Sequence, residues 1–257
     1  MTLNRREFVN FVGVGAAAIA LSAEPAMAAA SGAKIQAIAF DALTVFDVRP
    51  IAALCEQIFP GRGAEMSALW RTRQFEYTWL RTLGRQYADF FQVTEEALAF
   101  SCKSLKLELT KADSDRLMQS YLELKAWPDA VAALKKMKAS GLRMAFLSNF
   151  TAAMLDHGVK NSGLEGIFDD HLSTDRVRVF KPDAQAYRMA ISAFGLRKEE
   201  IAFAAFAAWD AAGAKWFGYP TFWVNRVQGA QEQLGVIPDG VGKDLNDLAA
   251  FVQAGRE

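Results

Sequence analysis

Apolar positions fall along this chain in short continuous runs separated by longer stretches of helical spacing. Ile35-Gln36-Ala37-Ile38-Ala39-Phe40 is a run of strand length, and Met144 to Leu147, Ile201 to Ala205 and Thr221 to Val224 are three more. Short apolar runs bounded by turn residues read as strands buried on both faces. Helical patterns lie between them, over Ala130 to Ser140, Ala152 to Ser162 and Ala184 to Phe194, and each is followed at once by a glycine: Gly141, Gly163 or Gly195. Glycine just past a helix end is an expected stop, because it enters the left-handed conformation without a Cβ penalty. Strand and helix in alternation predict an α/β fold, a doubly wound parallel sheet covered by helices on both faces.

The interval from Pro50 to about Trp127 breaks this alternation. It contains no convincing strand, and Glu65 to Leu83, Thr94 to Leu107 and Lys111 to Leu124 all read as helices. Thr94 followed by Glu95 and Glu96 has the look of a capped helix start. A helical insertion directly after the first strand predicts a cap over the carboxyl edge of the sheet. The expected division is a core of residues 33–47 and 127–257 and a helical cap of residues 48–126. Residues 1–28 read as an address. Asn4-Arg5-Arg6-Glu7-Phe8-Val9 places paired arginines before a Gly/Ala-rich apolar stretch, and Ala26-Met27-Ala28 supplies a small-x-small cleavage site. This resembles a signal peptide of the twin-arginine type. The apolar run is short for the ~30 Å of a bilayer's hydrocarbon. The expectation is export to the periplasm through the corresponding machinery, with a mature chain beginning near Ala29.

Composition narrows the function classes. Among 257 residues, 52% are hydrophobic, and Lys+Arg and Asp+Glu both number 29. A disordered chain is excluded, and the basic excess of a nucleic-acid-binding protein is missing. With two cysteines and two histidines, none at metal-ligand spacing, a zinc site is not expected. Cys55 and Cys102 both fall in the expected cap, either as buried thiols or as a disulfide. His157 and His171 sit in no motif.

In open parallel sheets, ligands bind beyond the carboxyl ends of the strands. The polar residues there are Asp41 after the first strand, Ser148 and Asn149 after the second, and Asp210 after the third, with Lys181 in a loop before a helix. An aspartate held, desolvated and given a cationic neighbour can act as a nucleophile. Each residue alone could equally be a cap or turn residue; their convergence on one edge is what points to chemistry.

Four motifs occur in order: Phe40-Asp41-Ala42-Leu43-Thr44-Val45-Phe46-Asp47, Leu147-Ser148-Asn149, Val179-Phe180-Lys181-Pro182-Asp183 and Ala208-Trp209-Asp210-Ala211-Ala212-Gly213-Ala214. They resemble those of the haloacid dehalogenase superfamily. Leu69-Trp70-Arg71, Glu76-Tyr77-Thr78-Trp79-Leu80-Arg81 and Phe222-Trp223-Val224-Asn225-Arg226 are similar, more narrowly, to the type II (S)-2-haloacid dehalogenases. The resemblance implies that Asp41 attacks the halogen-bearing carbon of a small 2-haloalkanoic acid and forms an ester with inversion. Water then releases a 2-hydroxy acid, without metal or other cofactor. Arg71 and Asn149 would receive the halide. Ser148, with backbone N–H groups near Ala42 and Leu43, would hold the substrate carboxylate. Thr44, Lys181 and Tyr187 would orient Asp41 and fix its charge. Phe75, Phe90 and Trp209 would line the pocket, and Asp210 would position or activate water. A homodimer is implied by family analogy.

Three departures accompany the resemblance. The first motif is one residue short and lacks the family's Tyr and Gly. Ala205 and Ala207 stand where the family offers Ser and Asn. The resembled enzymes are typically cytoplasmic, whereas this chain carries the expected export signal. Apart from these departures, Leu43 stands where superfamily phosphatases carry a second Asp, and a leucine cannot protonate a leaving alcohol. The alternatives left open are a non-catalytic or hydrolysis-impaired protein that binds a small carboxylate and, on a weaker footing, a phosphatase.

Overall fold

The computed structural model describes residues 34–256; the expected signal segment, residues 1–28, lies outside the described residues. Six strands form one parallel sheet in the order β3-β2-β1-β4-β5-β6: β1 (Ala37–Phe40), β2 (Arg143–Ser148), β3 (Asp170–Ser173), β4 (Ile201–Ala205), β5 (Thr221–Val224) and β6 (Gly240–Gly242). The fold is the expected doubly wound α/β type. The four anticipated strands are the sheet's interior, buried along almost their whole length. The two that sequence pattern did not reveal, β3 and β6, are the edges. β3 has one apolar residue in four, Leu172, and two of the three residues in β6 are glycine, so neither carries an apolar run.

Side chains along a strand point alternately to opposite faces, and the core divides accordingly. Ile38, Phe40, Met144, Phe146, Ala202, Ala204 and Phe222 face one side, in an apolar cluster that continues into the helical insertion. Ala37, Ala39, Ala145, Leu147, Phe203, Ala205 and Trp223 face the other. The core helices are α1 (Ala42–Val45), α6 (Ala130–Ala139), α7 (Ala152–Ser162), α8 (Ala184–Phe194), α9 (Ala208–Phe217) and α10 (Leu245–Ala254). Gly163 and Gly195 end α7 and α8 in the left-handed conformation, at φ 61° and 65°.

Between Phe46 and Ala126 lie four helices: α2 (Arg49–Ile58), α3 (Gly63–Leu83), α4 (Phe90–Leu105) and α5 (Lys111–Ser120). Sequence pattern missed α2, where Pro50 marks the helix start, a position that tolerates proline because its N–H has no helical partner. The start expected at Thr94 is corrected. Asp89 caps α4, its carboxylate accepting from the Gln92 N–H at 2.9 Å, while Thr94 is buried one turn inside and donates to the Phe90 carbonyl at 2.6 Å. Helix α5 also stops earlier than its pattern suggested, at Ser120. The two chain crossings between insertion and core run side by side: Asp47 N–H bonds to Lys125 O at 2.8 Å and Trp127 N–H to Val45 O at 2.9 Å, around an antiparallel bridge of Phe46 with Ala126. Cys55 and Cys102 are free, buried thiols. Burial pushes them up to about 12 and about 11, with Cys102 adding to the shift of Cys55.

Candidate active site

The carboxyl ends of β1, β2 and β4 meet the insertion around a cavity of about 270 Å³. Asp41 ends β1 and caps the single turn of α1, with Oδ1 accepting from the Leu43 N–H at 2.9 Å. Its Oδ2 accepts from Lys181 Nζ at 2.8 Å. The same ammonium donates to Asp210 Oδ2 at 2.5 Å, and the Tyr187 hydroxyl donates to Asp210 Oδ1 at 2.6 Å. The cluster thus reads Asp41–Lys181–Asp210–Tyr187, with Lys181 and Asp210 each only about 1% exposed. Burial works against the Lys181 charge, but the two carboxylates outweigh it and raise the ammonium pKa. Burial also dominates at Asp210. It pushes that carboxyl up to about 6, with Asp41 adding and Lys181 opposing.

Backbone placement explains why these groups meet. Asn149 Oδ1 accepts from the Lys181 N–H at 3.1 Å, tying the loop that carries the lysine to the end of β2. Helix α9 approaches this loop closely at Gly213. A Cβ there would stand 2.5 Å from the Tyr187 hydroxyl oxygen and 2.7 Å from Pro182 Cβ, so only glycine lets α9 bring Asp210 against both. Tyr187 is itself held by Tyr219, whose hydroxyl donates to the Tyr187 carbonyl at 2.5 Å. Arg226 secures the turn after Asp41. It donates twice to the Thr44 carbonyl, at 3.0 and 2.8 Å, and pairs with both oxygens of Asp129 at 2.8 and 3.0 Å.

Of the residues expected at the site, Asp41, Leu43, Arg71, Phe75, Phe90, Ser148, Asn149, Trp209 and Asp210 line the cavity. Phe75 packs edge-on against Trp209, ring centroids 5.2 Å apart. Arg71 projects from α3 with its guanidinium 5.3 Å over the ring of Phe206. It makes no ion pair among the described residues. Burial pulls its pKa below the ordinary arginine value, while Tyr121 and Asp41 oppose that shift. The Asn149 amide nitrogen is buried and has no hydrogen-bond partner among the described residues. An uncompensated buried donor is costly, and here it lies in a residue of the cavity wall.

Four expectations change in detail. Thr44 touches Asp41 at the backbone, its hydroxyl donating to the Asp41 carbonyl at 2.6 Å, so it shapes the turn rather than the carboxylate. Tyr187 bonds Asp210, not Asp41. The Leu43 N–H is already taken by Asp41 Oδ1, and Ala42 is buried within the turn; of that pair only Leu43 reaches the cavity. Ser148 Oγ accepts from the Phe150 N–H at 3.1 Å and keeps its own proton for another partner. Sequence pattern missed Gln74, Tyr121 and Phe206, all on the cavity wall. Gln74 follows Trp70 and precedes Thr78 on one buried face of α3, the one signal that could have found it. Phe206 occupies the stretch before Asp210 between Ala205 and Ala207, and its carbonyl accepts from the Trp223 indole N–H at 2.9 Å.

A family model of haloacid dehalogenase-like hydrolases matches residues 17–218, most of the chain. The chain belongs to that family. It is 44% identical over 220 residues to an (S)-2-haloacid dehalogenase of Pseudomonas sp. (strain YL), covering 85% of this chain and 94% of the relative. It is 42% identical over 207 residues to haloacetate dehalogenase H-2 of Moraxella sp. (strain B), covering 80% and 92%. Among solved structures, the L-2-haloacid dehalogenase RSc1362 superposes with a TM-score of 0.83 at 43% identity, over 86% of this chain and 99% of that one. The L-2-haloacid dehalogenase of Xanthobacter autotrophicus with chloropropionic acid covalently bound gives a TM-score of 0.78 at 35% identity, over 85% and 98%. This haloacid dehalogenase-like hydrolase therefore shares fold and most of its length with enzymes that act on carbon–halogen bonds.

Proposed function

We propose that the chain is a hydrolytic dehalogenase that converts (S)-2-haloacids to (R)-2-hydroxy acids through an ester on Asp41, without a metal. One observation carries the reading: the carboxylate of Asp41 lines the cavity and bonds Lys181 Nζ at 2.8 Å, while the same cavity wall offers an arginine and an amide N–H₂ that, among the described residues, have no carboxylate partner and no acceptor respectively. An oxygen of Asp41 attacks C2 of the substrate from the face opposite the halogen. The new C–O bond forms as the carbon–halogen bond breaks, and the bonding pair leaves with the halide. Arg71 and Asn149 meet that charge as it develops, where preorganised donors are most effective. Halide needs no proton to depart, so Leu43 in place of an acid is no obstacle. Ser148, which lines the cavity and whose hydroxyl proton is not spent on the Phe150 N–H, binds the substrate carboxylate, and Phe75, Phe90 and Trp209 enclose the alkyl group. Water then adds to the ester carbonyl as Asp210 takes one of its protons; the bond between the Asp41 carboxyl carbon and the substrate-linked oxygen breaks, the departing alkoxide recovers that proton from Asp210, and the 2-hydroxy acid leaves as the Asp41 carboxyl gives up its remaining proton to solvent. Relatives named as (S)-2-haloacid dehalogenases, one of them solved with chloropropionic acid covalently bound, support the substrate class.

A second reading rests on a specific observation at the hydrolytic step. Both oxygens of Asp210 are engaged, one by Lys181 and one by Tyr187, and Ala205 and Ala207 add no side-chain donor or acceptor beside them. The chain could then alkylate Asp41 and hydrolyse the ester slowly. Halide release from (S)-2-chloropropionate and from its mirror image, with Asp41→Asn as control and a protein mass spectrum after mixing, separates the readings. Steady release from the (S) enantiomer alone, lost in the variant, supports the dehalogenase; one burst with a stable adduct supports the impaired enzyme; no halide and no adduct across haloacids sinks both.

Export by the twin-arginine route and a homodimeric state belong to the same proposal. The paired arginines Arg5 and Arg6 support the first. Leu80 and Leu83, 61% and 82% exposed near the end of α3, support a covered face in an assembly. Cell fractionation and light scattering test them.

A further inference from the structure

The cavity contains a hydroxyl donor that the sequence motifs did not single out. Thr94 donates its proton to the Phe90 carbonyl at 2.6 Å, so its oxygen can only accept from Gln74, whose Nε2 lies 2.6 Å away. That fixes which end of the Gln74 amide is the N–H₂. The same nitrogen reaches the Tyr121 hydroxyl at 3.3 Å. Tyr121 therefore accepts from Gln74, and its own proton points elsewhere; among the described residues it has no acceptor. Gln74 and Thr94 are both buried, at 3% and 0% exposure, which holds the relay in one orientation. Tyr121 lines the cavity together with Arg71 and Asn149. Its ring packs edge-on against Trp70 at 5.5 Å and Phe150 at 6.3 Å, the residues next in sequence to Arg71 and Asn149. The phenol thus shares the cavity wall with the arginine and the Asn149 amide, and it is near enough to Arg71 for each to act on the charge of the other. Burial, with Cys55 adding, raises its pKa against the pull of Gln74 and Arg71, so it stays protonated.

We infer that Tyr121 is a third halide-binding donor, its O–H completing with Arg71 and Asn149 an anion site in which the leaving halide is held. The inference rests on the dehalogenase reading for the identity of the anion. A hydrogen bond to a charged acceptor is worth about ten- to a hundredfold in binding or rate. Tyr121→Phe removes the hydroxyl and keeps the ring. The expected result is a fall of about that size in kcat/KM for (S)-2-chloropropionate, a smaller fall for (S)-2-bromopropionate because bromide accepts hydrogen bonds more weakly, and a similar weakening of bromide as an inhibitor. A merely structural tyrosine would lower both substrates alike and leave bromide inhibition unchanged. Gln74→Leu, which frees the phenol to turn, is expected to move the same three quantities in the same direction by a smaller factor, and serves if Tyr121→Phe does not fold.

Unchanged halide dependence and unchanged bromide inhibition in a folded Tyr121→Phe protein would overturn the inference while leaving the dehalogenase reading intact. If wild type turns over no haloacid, saturable bromide quenching of tryptophan fluorescence at constant ionic strength still decides. Weakened saturation in Tyr121→Phe supports the anion site, and no saturable bromide binding by wild type overturns it.

Discussion

Replacing Lys181 by methionine tests the electrostatic core of the site. The side chain keeps nearly its length and its apolar contacts and loses only the ammonium. That ammonium is the shared cation of two carboxylates, at 2.8 Å from Asp41 and 2.5 Å from Asp210, and it is about 1% exposed. Asp210 is equally buried, so its charge is left with the Tyr187 hydroxyl as its one remaining side-chain donor. Removing one partner of a buried pair costs about 3–5 kcal/mol because the other charge is stranded. For a domain of this size that is a drop in Tm of about 6–20 °C. The pH dependence has a definite sign. Without the lysine, the folded-state pKa of Asp210 rises further above its unfolded value, so the folded variant binds a proton that the unfolded chain does not. Stability then increases as pH falls through that folded-state pKa toward the unfolded value. Melting temperatures of wild type and Lys181→Met at pH 8, 7, 6 and 5 check this: the gap is widest at pH 8 and narrows on acidification as Asp210 takes up a proton. A gap below a degree or two at pH 8, or one that widens toward pH 5, would refute the claim that Lys181 balances two ionised carboxylates.

Gly213→Ala puts a Cβ 2.5 Å from the Tyr187 hydroxyl oxygen and 2.7 Å from Pro182; overpacking of this kind costs about 1–3 kcal/mol, and displacement of Tyr187 from Asp210 is expected to slow ester hydrolysis more than halide release in a stopped-flow burst experiment. Halide release at steady state is expected to lose its base as pH falls through about 6, where Asp210 becomes protonated, giving an acid limb in kcat that Asp210→Asn abolishes together with most of the rate. Arg226→Met breaks the pair with Asp129 and both bonds to the Thr44 carbonyl; a loss of about 3–5 kcal/mol is expected by denaturant titration, and a change under 1 kcal/mol would show that the turn after Asp41 holds itself.

The interior of the sheet was legible because Ala37–Phe40, Arg143–Ser148, Ile201–Ala205 and Thr221–Val224 carry continuous apolar runs that burial on both faces demands. The edges were not, since Asp170–Ser173 and Gly240–Gly242 are strands by virtue of neighbours, not of their own residues. Propensity misplaced the start of α4, where a Thr-Glu-Glu string looks like a cap but Asp89 does the capping, five residues earlier. At the site, residues at strand ends were found because topology fixes them there: Asp41, Ser148, Asn149 and Asp210. Their individual bonds were not, because which oxygen Tyr187 or Thr44 meets depends on the packing of α9 against α8, visible only once Gly213 is seen touching Tyr187. Tyr121 was invisible for a further reason: its role comes from the proton direction imposed by Thr94 and Gln74, three residues from three separate turns of the cap.

Covalent catalysis by Asp41 is the claim on which the rest stands, and the fate of its oxygen tests it most directly. Purified protein from Ala29 onward is allowed many turnovers of (S)-2-chloropropionate in ¹⁸O-enriched water, and the peptide containing Asp41 is then weighed by mass spectrometry. Water attack on the ester carbonyl leaves solvent oxygen in the Asp41 carboxylate, so that peptide is predicted to gain ¹⁸O while the peptide containing Asp210 stays unlabelled. Steady halide release with Asp41 unlabelled would mean that water attacks the substrate carbon directly, and would contradict the account.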